Sequence, residues 1–258
     1  MLLVIDAGNT NTSLGVYQGT DLVAHWRLTT ARNRTVDEYG VHARNLFELA
    51  GLDFKAINAI AIASVVPPLN YTLKRMAEVY FHLTPLFVDH TTDLGLRVLY
   101  EPASDVGADR LVDAVAATEK YGAPCIIVDF GTATTFNAIT QHGDYLGGVI
   151  TPGIMISADA LFERTAKLPR VDIKRPGKVI GSSTVAAMQS GLYHGYVGLV
   201  DGVLRKMLNE MGGSPRVIAT GGLAPLIATG SSLIELVDDT LTLEGLRLVF
   251  ERCKNSIP

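Results

Sequence analysis

The sequence predicts a mixed α/β protein made of two similar lobes, and two observations carry that prediction. The first is a repeat: Asp6-Ala7-Gly8-Asn9-Thr10-Asn11-Thr12 returns as Asp129-Phe130-Gly131-Thr132-Ala133-Thr134-Thr135, 123 positions later in a chain of 258 residues. The second is what flanks each copy. Leu2 to Ile5 and Cys125 to Val128 are apolar runs before it, and Ser13 to Tyr17 and Phe136 to Thr140 are β-like stretches after it. Strand, tight polar turn, strand is thereby written twice, and recurrence in register marks an internal duplication.

The elements follow in chain order. Strands are expected near 2–6, 13–17 and 22–29, then a helix from Val36 to Ala50 on which Tyr39, Leu46 and Leu49 share an apolar side. Ala59 to Ala63 reads as a buried strand ended by Pro67-Pro68, followed by a helix near 70–82 and a short strand at 86–88. Asp105 to Tyr121 forms a mostly helical connection. The second half repeats the outline with strands near 124–129, 135–140 and 145–150 and a helix from about Pro152. A long helix from Ser183 to Met211, strands at 216–219 and 233–236, and a helix near 243–253 complete it. Each lobe has a β-β-β-α-β-α-β core, with the lobes expected at 1–118 and 119–258.

The turn chemistry suggests the ligand. A carboxylate at the end of a buried strand, a glycine that lets a ligand reach the backbone, and several hydroxyls and amides together suit a polyphosphate with its metal ion. One Asp-x-Gly-Thr alone is ordinary turn composition; its repetition in register is what turn chemistry leaves unexplained. Two such hairpins around a nucleotide cleft describe the actin-like (ribonuclease H-like) superfold of sugar kinases and heat-shock ATPases. Asp6 is placed to meet Mg²⁺, directly or through water. Thr220-Gly221-Gly222 follows the strand at 217–219, and its paired glycines Gly221 and Gly222 would let a base or ribose lie against the backbone.

Other classes are excluded by what the chain lacks. The only Gly-Lys, Gly177-Lys178, is followed by Val179, so there is no P-loop, and no Gly-x-Gly-x-x-Gly follows a strand. Net charge is -4 with no long Lys/Arg run, which argues against nucleic acid and a polybasic membrane anchor. The N-terminal apolar run is broken at Asp6, with no basic segment before it. Neither a signal peptide nor a membrane span is expected, and the protein is expected in the cytoplasm. Cys125 and Cys253 are read as reduced packing residues, and the six histidines show no ligand spacing, so no transition-metal site is expected.

Between the hairpins lies Tyr100-Glu101-Pro102, then Gly107-Ala108-Asp109-Arg110 leading into an apolar-faced helix. Asp105 and Asp109 both compete to cap that helix. A carboxylate able to orient a hydroxyl beside a guanidinium able to hold an anion makes a site for a small acid that also carries an alcohol.

These motifs resemble, in order and over almost the whole chain, those of type III pantothenate kinases: 6–12, Tyr100 with Pro102, 107–110, 129–134, Gly147 to Gly153, Ser183-Thr184 with Ala187 and Gly191, and 220–222. Gly-Ala-Asp-Arg is the discriminating piece, and Ala7 stands where the family pattern has a bulkier aliphatic residue. The resemblance implies ATP-dependent phosphorylation of the primary hydroxyl of pantothenate, the first committed step toward coenzyme A. It implies ATP at Asp6, Ala7, Gly8, Asn9, Thr10, Asn11, Thr12, Ser13 and Thr132, and pantothenate at Tyr100, Gly107, Ala108, Asp109, Arg110 and Thr184. Asp109 is then the proton acceptor, Asp129 holds a monovalent cation (K⁺ or NH₄⁺), and the protein is a homodimer with Thr184 near the subunit boundary. A sugar or acetate kinase of the same superfold would keep both hairpins; the discriminator is Gly107 to Arg110, which a neutral sugar has no need of. The non-enzyme alternatives are an actin-like ATP switch, which would turn over ATP regardless of pantothenate, and a regulatory relative of the family acting as a transcription accessory protein.

Overall fold

The computed structural model describes residues 1–255. They divide into two compact units, Met1–Ala116 with the chain from Leu241 onward, and Ala117–Thr240.

The first unit is a five-stranded sheet of β1 (Leu2–Ala7), β2 (Asn11–Gln18), β3 (Asp21–Thr29), β4 (Ala59–Ser64) and β5 (Leu86–Phe87), in the order β3-β2-β1-β4-β5. β1 runs antiparallel to β2 and parallel to β4. The second unit has β6 (Cys125–Phe130), β7 (Ala133–Ile139), β8 (Tyr145–Pro152), β9 (Arg216–Thr220) and β10 (Leu236–Val237), in the order β10-β9-β6-β7-β8. Read from the other edge this is the same order with the same directions. The duplication seen in the hairpins therefore extends to the whole sheet.

Helix α1 (Val36–Leu49) opens with a capping box between Thr35 and Glu38, the local signal that fixes its start. Its buried face is Tyr39, Gly40, Ala43 and Phe47. The expected sharing by Leu49 does not hold: Leu49 is 84% exposed, because only the i, i+4, i+8 row 39-43-47 faces the sheet and a residue two past Phe47 points away. Pro67 and Pro68 end no more than the strand; they begin α2 (Pro67–Met76), where the first helical residues need no N–H partner. A π-helical turn (Ala77–Phe81) continues it, and His82 closes it in the left-handed region at φ 58°. Phe47, Phe54, Phe81 and Trp26 form an aromatic cluster over this side of the sheet.

Helix α3 (Ala108–Tyr121) passes from the first unit into the second. In the second unit α4 (Ile154–Glu163), α5 (Thr184–Met211) and α6 (Ala224–Ala228) follow, with Ser183 capping α5 through the Ala186 N–H. The strand expected at 233–236 shrinks to Leu236–Val237. The Ser231 hydroxyl takes the Leu233 and Ile234 N–H groups at 3.2 Å each, winding that segment into a turn before pairing can begin. Helix α7 (Leu241–Asn255), expected with the second lobe, instead belongs to the first unit and packs on β1, β2 and β4. A Cβ on Gly245 would stand 2.0 Å from the Val112 carbonyl oxygen, so only glycine lets α7 approach α3 this closely.

Candidate active site

The two hairpins have the same construction. Asp6 lies opposite Ser13 and Ala7 opposite Thr12; Asp129 lies opposite Thr135 and Phe130 opposite Thr134. Residues directly opposite share a face and successive residues alternate faces. Each aspartate is therefore half-buried beside a half-buried hydroxyl residue, while Thr12 and Thr134 point into the protein at 2% and 1% exposure.

In the first hairpin the Gly8 N–H reaches the Asn11 carbonyl at 3.0 Å, and a Cβ on Gly8 would meet that same oxygen at 2.9 Å. Asn9, Thr10 and Asn11 are exposed, with the Asn9 side chain accepting from Arg32 at 2.9 Å. Thr10 gives its carbonyl to the Thr30 N–H at 2.9 Å. Thr30 was not marked by the sequence, yet its hydroxyl also donates to the Gly8 carbonyl at 2.6 Å. The available signal was register: Thr29, its neighbour, pairs with Asn11.

In the second hairpin the Gly131 N–H reaches the Ala133 carbonyl at 3.1 Å and the half-buried Thr132 accepts from the Gly153 N–H at 3.1 Å. Gly153 is the residue before α4, and a Cβ there would stand 2.2 Å from the Thr132 carbonyl, so the helix start is pressed onto this turn. The Thr134 hydroxyl bonds to that of Tyr196 on α5, which also donates to the Pro152 carbonyl at 3.0 Å. Gly221, at φ +93°, sits against Asp129: a Cβ would lie 2.5 Å from Asp129 Oδ1 and 2.7 Å from the Phe130 carbonyl. Gly222 beside it is exposed. The Phe130 amide nitrogen lies as near to that Cβ position, at 2.7 Å, so Asp129 Oδ1 and both main-chain polar atoms of Phe130 gather around Gly221. Among the described residues no three His, Cys, Asp or Glu side chains cluster.

The Gly107-Ala108-Asp109-Arg110 segment starts α3. Neither aspartate sits before the helix as a cap: Asp105 ends an exposed 3₁₀ turn, and Asp109 is the second helical residue, its Oδ1 accepting from the Arg110 N–H at 2.8 Å. Protein packed around the Asp109 carboxyl pushes its pKa up, against the lowering pull of the Arg110 amide and guanidinium. Arg110 is buried at 7% exposure. Val65, another residue the sequence did not mark, donates its N–H to the Ala7 carbonyl at 3.1 Å and lies against Gly107. The first unit thus joins the end of β1, beside Asp6, to the start of α3 through one residue, Val65, by its main-chain N–H on one side and its side chain on the other. Gly107 and Ala108 also line a cavity of about 520 Å³ that includes Ser64, Asn70, Lys74 and His90. Tyr100 is half-buried in the irregular segment before the 3₁₀ turn; Thr184, the exposed first residue of α5, stands in the second unit.

Comparison with known proteins decides the family. A family model for type III pantothenate kinase matches residues 2–206. The chain belongs to the type III pantothenate kinase family. The type III pantothenate kinase of Koribacter versatilis is 59% identical, covering 98% of this chain and 96% of its own. That of Anaeromyxobacter sp. is 56% identical, covering 98% and 99%. This chain is accordingly an ATP-using kinase that phosphorylates pantothenate in coenzyme A biosynthesis. Among solved structures, the ADPNP-bound activator of 2-hydroxyisocaproyl-CoA dehydratase from Clostridium difficile aligns with a TM-score of 0.55 at 14% identity, covering 99% of this kinase and 96% of that chain. The polyphosphate/ATP-glucomannokinase of Arthrobacter sp. aligns with a TM-score of 0.50 at 11% identity, covering 97% and 98%. These likenesses establish the actin-like fold of this kinase.

Burial places Cys125 as the packing residue the sequence suggests, and pushes its thiol up to about 12. No helix among the described residues is long and apolar enough to cross a membrane.

Proposed function

We propose that this kinase moves the terminal phosphoryl group of ATP to the primary hydroxyl of pantothenate with Asp109 as the acceptor of the hydroxyl proton. The observation that carries this reading is the setting of Asp109: a carboxyl with its pKa raised by burial, next to the buried Arg110, and linked through Val65 to Ala7, the last residue of β1 and the neighbour of Asp6. A raised pKa brings a carboxylate nearer the operating pH, where a general base is most effective. The transition state of phosphoryl transfer is loose, so the work of the protein is to align the hydroxyl and neutralise oxygen charge, with the proton leaving late. Arg110 holds the pantothenate carboxylate, with Tyr100, Gly107, Ala108 and Thr184 completing the acceptor site.

Residues 6–13 and Thr132 bind ATP, and Gly221 and Gly222 take the adenosine. In the first hairpin, exposed Asn9, Thr10 and Asn11 present polar groups to phosphate, whereas the inward Thr12 shapes the turn. Mg²⁺, when bound, supplies positive charge at the phosphates, with Asp6 as its protein contact. Asp129 holds K⁺ or NH₄⁺, which offsets the missing P-loop lysine. The enzyme works as a cytoplasmic homodimer. Self-association is supported by the apolar side chains that β8 and α4 leave exposed, Ile150 at 59%, Met155 at 49% and Ile156 at 41% among them.

The test is a coupled ATP-consumption assay with and without pantothenate, in potassium and in sodium. ADP release that needs pantothenate is expected. Turnover indifferent to pantothenate would replace this reading with a nucleotide switch.

A further inference from the structure

We propose that Gly107 is a positioning residue for phosphoryl transfer: the space left by its missing side chain is where the Asp109 carboxylate lies. The inference rests on Asp109 being the proton acceptor. A Cβ on Gly107 would stand 2.5 Å from Asp109 Oδ1, 3.5 Å from Asp109 Cγ and 3.1 Å from Val65 Cγ1. The first distance is one that real Cβ atoms do not occupy, so the carboxylate would have to move.

Backbone conformation does not require glycine here. Gly107 is outside the left-handed region, unlike Gly221 at φ +93°, so alanine fits the main chain without strain. The main chain is also held: the Leu111 N–H bonds to the Gly107 carbonyl at 3.2 Å, continuing α3. The yielding partner is then the end of the Asp109 side chain, whose Oδ1 would leave its 2.8 Å bond with the Arg110 N–H. A general base displaced by about 1 Å loses roughly 10²-fold in rate, because the proton and the attacking oxygen no longer line up. Glycine at 107 thus lets the carboxylate fold back over the start of its own helix, so the Gly-Ala-Asp-Arg spacing sets an orientation as well as a composition.

The experiment is a double-mutant cycle on the full chain with ATP, Mg²⁺, K⁺ and pantothenate, comparing wild type, Gly107→Ala, Asp109→Asn and the double variant. Gly107→Ala is expected to keep its melting temperature and ATP KM while kcat falls on the order of 10²-fold. In the Asp109→Asn background the same change should alter kcat by less than about twofold, since the displaced group is no longer the base. Near wild-type kcat in Gly107→Ala, or a loss that adds fully to that of Asp109→Asn, would overturn the proposal. A Val65→Ala/Gly107→Ala variant removes the second neighbour and should stay slow; recovery there would assign the loss to Val65 instead. Wild-type kcat in Asp109→Asn alone would fail at the earlier step, removing Asp109 as the base and this role of Gly107 with it.

Discussion

Thr12 and Thr30 meet hydroxyl to hydroxyl at 2.9 Å beneath the first hairpin. Thr30 spends its single proton on the Gly8 carbonyl at 2.6 Å, so Thr12 is the donor between them. The Gly8 turn is therefore held by a residue 18 positions away from Thr12. Thr30→Val should cost about 1–3 kcal/mol, because the Thr12 hydroxyl is left buried without its acceptor. It should also raise the ATP KM while leaving that for pantothenate unchanged. Thermal melts with initial rates check both, and an unchanged ATP KM would confine the pair to folding.

Asp109→Asn should lower kcat on the order of 10²-fold or more while ATP binding survives, because an amide cannot take the hydroxyl proton. Burial raises the pKa of Asp109 in the folded state. Its contribution to stability is therefore full below the unfolded carboxylate value, near about 4, and is lost as pH rises through the folded value. Asp109→Asn should thus melt higher than wild type at neutral pH, with the gap closing in acid. Wild-type kcat should fall as pH drops through that raised pKa, a limb the variant should lack. Melting curves and pH–rate profiles from pH 4 to 8 give the comparison.

Arg110→Ala should act on the acceptor. Losing a charge-assisted hydrogen bond of about 1.5–3 kcal/mol corresponds to roughly a 10- to 150-fold rise in pantothenate KM. A pantothenate KM equal to wild type would remove Arg110 from the carboxylate site.

Asp129→Ala should be poorly active in every salt, and the wild type should be active in potassium or ammonium and nearly silent in sodium at matched ionic strength. Screening treats the three ions alike, whereas a cage of oxygens discriminates by size. Full wild-type activity in sodium with added Mg²⁺ would leave Asp129 serving the nucleotide or the hairpin.

Asp238 predicts a stability effect apart from catalysis. Burial pushes its pKa up, but Lys120 and the Tyr121 hydroxyl, at 2.7 Å, hold it below the usual carboxylate range. Its stabilisation is present above the unfolded value and lost as pH falls through the folded one. Asp238→Asn should cost about 1–3 kcal/mol at neutral pH, with the difference from wild type narrowing below about pH 4. Urea unfolding at the two pH values measures it, with pantothenate phosphorylation retained.

Much of the candidate site was legible because its signals are local. The Asp-x-Gly turns follow apolar strands, and Gly-Ala-Asp-Arg opens an apolar-faced helix, so residues 6–13, 107–110 and 129–132 could be named from neighbours alone. Thr30, Val65 and Tyr196 could not, because each supports the site from another element and carries no unusual residue pattern of its own. Leu49 misled for the same reason: helical spacing puts it near Leu46, but which row faces inward depends on the sheet beneath.

The sequence by itself determined the duplicated strand-turn-strand units, the place of an aspartate near the end of each first strand and the family to which the chain belongs, since alternation, turn composition and motif order are written in consecutive residues. Only the tertiary structure decided that Thr12 turns inward, that α7 returns to the first unit, and that the Asp109 carboxylate occupies the room Gly107 leaves free. Each of these depends on which atoms pack within a few ångströms after folding, and no local pattern of side chains encodes that proximity.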